Sequence, residues 1–84
     1  MQETKKLIKE LVKIKLTSSQ TAAIESFIND RGIAIFRNSS LLKAINRNDV
    51  DGAIVEFRKW TMDAGRQRPE LVELREKEIA LFTK

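Results

Sequence analysis

Carboxylates are the side chains through which this sequence could carry out acid–base chemistry. Its 84 residues include no Cys and no His, which excludes thiolate nucleophiles, a serine–histidine relay and nearly all zinc or transition-metal sites. Twelve Asp and Glu residues are left. Catalysis by carboxylates needs a pair whose environments push their pKa values apart, so that one gives a proton while the other stays ionised. We therefore expect no metal and no cofactor, and a catalytic site would have to be such a pair.

Several carboxylates stand where a helix would use them for its own stability. Four fall in the first turns of predicted helices, where capping and the helix dipole favour a negative charge: Asp49, Asp51, Glu70 and Glu73. Glu25 falls on a solvated helix face. Glu78 follows Arg75 by three residues, a spacing that favours an intrahelical ion pair over an acid catalyst. These positions predict no catalytic pair.

The helices that would position these residues follow from the spacing of apolar side chains. The first is predicted over residues 4–15, with this apolar face: Leu7, Ile8, Leu11, Val12 and Ile14. Thr17 and Gln20 match a capping box for the second helix. That helix is predicted to end near Asp30, before Gly32 in a left-handed C-cap.

Three further helices are predicted after a short apolar connector at residues 33–36. Candidate N-caps precede the two middle ones: Asn38 or Ser39 for the third helix, and Asn48 or Asp49 for the fourth. Gly65 is predicted to end the fourth helix, and Pro69 to stand at the N1 position of the last. The last helix is predicted to bury Leu71, Val72, Ile79 and Phe82. The sequence thus predicts an all-α fold, a small orthogonal bundle of about five helices in a single domain, residues 1–84.

Trp60 is the one tryptophan of the sequence. It falls three residues after Phe57, on the apolar face of the fourth helix. This periodicity favours a core position over a sugar-stacking role.

The charge of the chain permits an anionic partner. The net charge is +4, and a stripe of lysines runs along the first helix, at Lys5, Lys6, Lys9 and Lys13. A solvated face accounts for such a run, and it lacks the interleaved exposed aromatics of single-strand binders, so nucleic acid is not a favoured partner. No apolar run reaches the roughly 20 residues that cross a bilayer. We expect no membrane span and a cytoplasmic protein, with export left open.

A series of landmarks in fixed order extends over residues 12–82. They are Leu16-Thr17-x-x-Gln20, Ser26-Phe27, Gly32-Ile33-x-x-Phe36, Ser40-Leu41-Leu42, Gly52-Ala53, Glu56-Phe57, Trp60, Pro69-x-Leu71-Val72-x-x-Arg75, Glu78 and Leu81-Phe82. In this order and spacing they resemble the C-terminal lobe of the phage-type lysozymes, the endolysin family of muramidases. The resemblance implies a compact helical lobe at residues 16–84, entered by a linking helix at residues 1–15.

The resemblance also implies that the family's catalytic glutamate lies upstream of every residue in this sequence. It places Asp30 near the edge of the family's substrate cleft, where Arg31 should keep the carboxylate ionised and a poor general acid. Departures from the family pattern cluster at this edge, at Asp30-Arg31-Gly32, Ala34 and Glu70. Glycosidases need two carboxyls about 5–9.5 Å apart, one of them with a raised pKa, so we do not expect hydrolysis by this chain alone.

Two functions are compatible with this reading. The first is a phage-derived, catalytically inactive binding module that binds a protein or a second copy through its first helix, and inhibition of a host system is one role compatible with it. That interface would comprise Leu7, Ile8, Leu11 and Ile14, partly exposed, with Lys5, Lys9 and Lys13. The alternative is a peptidoglycan-associated endolysin fragment that binds cell-wall glycan or helps to degrade it. Its contact residues would be Asp30, Arg31, Gly32, Arg66 and Arg68.

Overall fold

The fold is helical, with one very short hairpin. A computed structural model describes residues 2–63 and 65–84, and Met1 and Ala64 lie outside the described residues. The helices are α1 (Gln2–Leu11), α2 (Ser18–Arg31), α3 (Ile33–Arg37), α4 (Ser40–Asn46), α5 (Val50–Lys59) and α6 (Pro69–Phe82). Between α5 and α6, β1 (Met62–Asp63) pairs antiparallel with β2 (Arg66–Gln67). The predicted all-α class is confirmed, and the connector at residues 33–36 is itself the short helix α3.

The predicted starts of α2, α4, α5 and α6 are confirmed, whereas α1 starts at Gln2 rather than at residue 4. Thr17 and Gln20 form the full capping box, since each side chain bonds the other's backbone amide at 3.0 Å. Ser39 caps α4 and Asp49 caps α5, each accepting the amide three residues on. Pro69 opens α6, where its missing amide costs nothing. These signals are local, because a cap bonds its own first turn.

Two predicted helix ends are wrong. α1 ends at Leu11 rather than Lys15, because the side chain of Asn46, on α4, holds the chain there. Its Oδ1 accepts the Lys13 amide at 2.7 Å, and its Nδ2 donates to the Leu11 carbonyl at 3.1 Å. α5 ends at Lys59. Gly65 instead has φ +80° between the two strands, a backbone conformation that favours glycine.

The core forms around Phe27 of α2. The rings of Phe36, Phe57 and Trp60 meet the Phe27 ring edge-on, with centroids 6.2, 6.1 and 5.8 Å away. Trp60 packs against the core as predicted but stays half-buried. This aromatic cluster joins α2, α3 and α5 in one apolar interior, because edge-to-face rings add attraction to their burial.

Other burial predictions are confirmed only in part. On α6, Ile79 and Phe82 are buried, whereas Leu71 and Val72 are only half-buried because they lie near the exposed start of the helix. On α1, Ile8 is 1% exposed. The expectation that Ile8 is partly exposed is therefore wrong, because the core of this chain already covers it.

Candidate functional site

A buried arginine organises the junction of α2, α5 and α6. Arg75 of α6 is 0% exposed, and its guanidinium donates to three acceptors. Nη1 reaches Glu78 Oε1 at 2.8 Å, Nε reaches the Trp60 carbonyl at 2.9 Å, and Nη2 reaches Asp30 Oδ2. The face of the Phe27 ring lies 5.0 Å from the guanidinium carbon. A buried charge persists in an apolar interior only when it is paired and hydrogen-bonded in this way.

Glu78 completes this arrangement from the interior side. It is 1% exposed, and the Ser26 hydroxyl donates to its Oε2 at 2.5 Å. Burial raises the pKa of the Glu78 carboxyl, while hydrogen bonds and charge from Ser26 and Arg75 oppose the rise. A raised pKa is what a general acid needs. However, this carboxyl is closed off from solvent and its oxygens already bind protein groups, so it has no access to a substrate.

The sequence predicted the Arg75–Glu78 ion pair but not its burial. The signal was available, because Arg75 falls on the same helical stripe as Val72, Ile79 and Phe82. A charged residue in an apolar stripe requires partners from other elements. Those partners, Asp30 and the Trp60 carbonyl, lie 45 and 15 residues away along the chain, and no local pattern identifies them.

The predicted site residues Asp30, Arg31 and Gly32 form the corner at the end of α2. Arg31 Nε lies 3.1 Å from Asp30 Oδ2, an ion pair without hydrogen-bond geometry. Its Nη2 donates to the Met62 carbonyl of β1 at 3.3 Å, and its guanidinium lies 5.6 Å from the Trp60 ring centroid. Arg31 therefore fixes the corner to the hairpin, and the guanidinium groups of Arg31 and Arg75 both contact Asp30 Oδ2.

Gly32 provides the backbone conformation that the corner needs. Its amide donates to the Ile28 carbonyl at 2.6 Å, and its φ of +94° is a conformation that side chains with a Cβ rarely adopt. A Cβ built at this position would meet nothing within 4 Å. The glycine is therefore required by the turn itself, and the space beside it is open.

The hairpin and its exit carry the other two predicted site residues. Arg66 is exposed on β2, in register with Asp63. Arg68 is exposed at the start of α6, and its amide donates to the Thr61 carbonyl at 2.9 Å. The structure thus brings Arg31 into direct contact with the hairpin that carries Arg66.

A polar groove runs from this corner along α2 and α6. It has a volume of about 470 Å³ and is lined by Ala22, Glu25, Ser26, Asn29, Asp30 and Leu74. Carboxylate, hydroxyl and amide groups thus line an open surface beside the Arg31 corner. Such groups form hydrogen bonds with a polar ligand.

The predicted interface on α1 is divided between interior and surface. Ile8 is buried, whereas Leu7, Leu11 and Ile14 are half-buried. Lys5, Lys9 and Lys13 are exposed, and Lys13 Nζ donates back to the Glu10 carbonyl at 3.2 Å. The three remaining apolar side chains are therefore partly open to solvent.

Within residues 2–63 and 65–84, His, Cys, Asp and Glu form no group of three that could hold a metal ion. None of the helices described there is long and apolar enough to cross a membrane.

The sequence of this chain is similar to those of phage lysozymes and endolysins. The family model for phage lysozyme matches residues 1–78. The chain is 36% identical over 75 residues to the SAR-endolysin of Escherichia phage Mu, covering 89% of this chain and 44% of that protein. It is 35% identical over 75 residues to the endolysin of Bacillus phage B103, covering 89% and 28%. It is 38% identical over 80 residues to the endolysin of Acyrthosiphon pisum secondary endosymbiont phage 1, covering 90% and 55%. The chain therefore spans about half the length, or less, of the curated relatives it matches.

Proposed function

Because the chain belongs to the phage lysozyme family, we propose that it acts on the bacterial cell wall as the glycan-holding helical lobe of a lysozyme-type endolysin. The observation that carries this proposal is the polar groove of α2 and α6, which opens beside the Arg31 corner. Its hydroxyl, amide and carboxylate groups suit the hydroxyl and acetamido groups of a peptidoglycan strand. Arg31 and Arg66 add positive charge beside an anionic polymer.

In this proposal the described residues hold the glycan and do not cleave it by themselves. A glycosidase needs one carboxylic acid that can protonate the leaving oxygen. Asp30 Oδ2 is already paired with Arg75 and Arg31, and Glu78 is closed off from solvent. Hydrolysis would therefore use a carboxyl other than these two.

Pelleting with purified peptidoglycan tests the proposal, with soluble muropeptides assayed in the same tubes. We expect binding without muropeptide release. Glu25→Gln in the groove should weaken pelleting, although it makes the protein more positive. The direction of this change separates the two explanations, because a merely electrostatic attraction of the more positive variant to an anionic wall would increase pelleting.

Lys43→Gln on α4 is the matched control for Arg66→Gln, since both remove one exposed positive charge. Arg66→Gln should reduce pelleting more than Lys43→Gln does. Failure of the unmodified chain to pellet would reject the glycan-holding role, and release of muropeptides would reject the non-cleaving one.

We propose a second candidate, a catalytically inactive module that binds a second copy of the chain through α1. What favours it is the partly exposed apolar pair Leu7 and Leu11, which lie one turn apart on the same helical face. Sedimentation equilibrium tests this candidate. We expect a dimer that Leu7→Glu dissociates while Glu10→Lys does not, and a strictly monomeric chain at high concentration would reject it.

A further inference from the structure

A small cavity that opens to the surface lies between α1, the segment that follows it and the start of α2. Its volume is about 290 Å³. Four apolar side chains line it: Ile8, Val12, Ile14 and Leu16. Ile8 and Val12 are buried, whereas Ile14 and Leu16 are half-buried. The cavity therefore reaches from the surface down to the core.

Three lysines stand around this apolar cavity. They are Lys5, Lys9 and Lys15, and all three are exposed. Lys5 and Lys9 are one turn apart on α1, and Lys15 comes from the segment after the helix, so two chain segments contribute charge to the cavity. Among the ion pairs of the described residues, none includes any of these lysines. Three like charges around one cavity repel each other unless an anion is present.

The combination of apolar walls and positive charge selects the chemistry of the occupant. A glycan or a nucleic acid backbone would satisfy the lysines but not the apolar walls. The lining residues also include no aromatic ring on which a base could stack. An anionic lipid has both parts, a phosphate for the ammonium groups and an acyl chain for the apolar walls.

We propose that this cavity binds an anionic phospholipid at a membrane surface. The phosphate lies among Lys5, Lys9 and Lys15, and the first carbons of an acyl chain pack against Ile14 and Leu16. α1 lies along the surface with its lysine-bearing side toward the head groups. Docking of this kind needs no membrane-spanning segment, because apolar contact and charge together hold an amphipathic helix at the interface.

Flotation with lipid vesicles tests the proposal at physiological ionic strength. The chain should float with vesicles of phosphatidylglycerol and not with vesicles of phosphatidylcholine. The double variant Lys5→Gln/Lys9→Gln should lower the partition coefficient about 25-fold, since each lysine near an anionic surface contributes roughly a fivefold gain. The control Lys43→Gln/Lys77→Gln removes the same charge elsewhere. It should stay within about twofold of the unmodified chain, because distant surface charges are screened.

A soluble probe separates the apolar contribution from the charge. Decyl phosphate should shift the amide resonances of residues 12–16 at concentrations where glycerol phosphate leaves them unchanged. Thermal unfolding of both double variants verifies that they fold.

Three results would overturn the proposal. They are equal losses in the two double variants, glycerol phosphate binding as well as decyl phosphate, and binding to an RNA oligonucleotide through Lys5 and Lys9 without flotation. The first would indicate general attraction, the second a plain anion site and the third a nucleic-acid surface.

Discussion

Arg75 shows how one residue joins three helices. Its guanidinium bonds Glu78 on its own helix, Asp30 at the end of α2 and the Trp60 carbonyl after α5. Removing one partner from a buried pair is costly because the remaining charge loses its compensation. The corner that carries Asp30 and Arg31 is thus positioned from the interior of the protein, while its outer surface stays open to solvent.

Glu78 makes the stability of the protein depend on pH in a defined direction. Burial raises the pKa of this carboxyl in the folded state above its ordinary value of 4.5. The folded state therefore binds a proton more tightly than the unfolded state does. The contribution to the free energy of unfolding is fully present below pH 4.5 and is lost as pH rises toward the folded pKa.

We predict that Glu78→Gln removes this pH dependence while keeping an acceptor for Arg75. The free energy of unfolding of the unmodified chain minus that of the variant should fall as pH rises from about 4 to 7. Urea unfolding at a series of pH values measures it. Glu76→Gln is a control of opposite sign at lower pH: Arg58 lowers the pKa of Glu76 by a hydrogen bond, so the stabilising contribution of Glu76 is lost as pH falls below 4.5. A difference that grows with pH for Glu78→Gln would contradict the assignment.

At the scale of an element, the start of α5 depends on a glycine that leaves room for a cap. Asp49 Oδ1 accepts the Gly52 amide at 2.9 Å. A Cβ added at Gly52 would collide with the Asp49 carboxylate. Glycine is a weaker helix former than alanine, but at position 52 it leaves room for the Asp49 side chain that caps the helix.

We predict that Gly52→Ala lowers the free energy of unfolding when residue 49 is Asp and raises it when residue 49 is Ala. In the unmodified chain the substitution displaces the cap, whose loss costs about 1 kcal/mol, and lowers stability. In an Asp49→Ala background the collision is gone, and Gly52→Ala should raise stability by about 0.5 kcal/mol through helix propensity. A double-mutant cycle by urea unfolding measures both effects, and additive effects would show that the two residues are independent.

Elements differ in how well the sequence predicts them. The starts of α2, α4 and α5 were predictable because Thr17, Ser39 and Asp49 bond amides only three residues away. The end of α1 was not, since Asn46 stops it from another helix, 35 residues from Leu11. The candidate site follows the same division. The Asp30–Gly32 corner was placed by family resemblance, whereas its support by Arg75 comes from tertiary contacts that leave no local pattern.

At the scale of the whole molecule, α1 shares one hydrophobic core with the other helices. Ile8 and Val12 belong to the same buried cluster as Phe27 and Phe82. Such continuity is expected for a chain of this size, because small domains have little buried surface to spare.

We predict that Ile8→Ala destabilises the entire protein by about 2–5 kcal/mol, the range for removing a buried Ile side chain. Circular dichroism during urea unfolding should show one cooperative transition at a lower midpoint. Leu7→Ala, next to it but half-buried, is the matched control and should cost less. A separate early transition confined to α1, with the rest unchanged, would indicate an independent helix.

The Asn46 contacts also give α1 a mechanical property. The Asn46 side chain forms hydrogen bonds with both the Leu11 carbonyl and the Lys13 amide, so two hydrogen bonds connect the end of α1 to α4. A pulling force applied along α1 would pass to α4 and the core before the segment at residues 12–17 could extend. We therefore expect α1 to move together with α4 and the core. We expect a helix fused in register to α1 to keep a fixed angle to the rest of the protein, and Asn46→Ala to loosen this coupling while Ile8 and Val12 stay packed in the core.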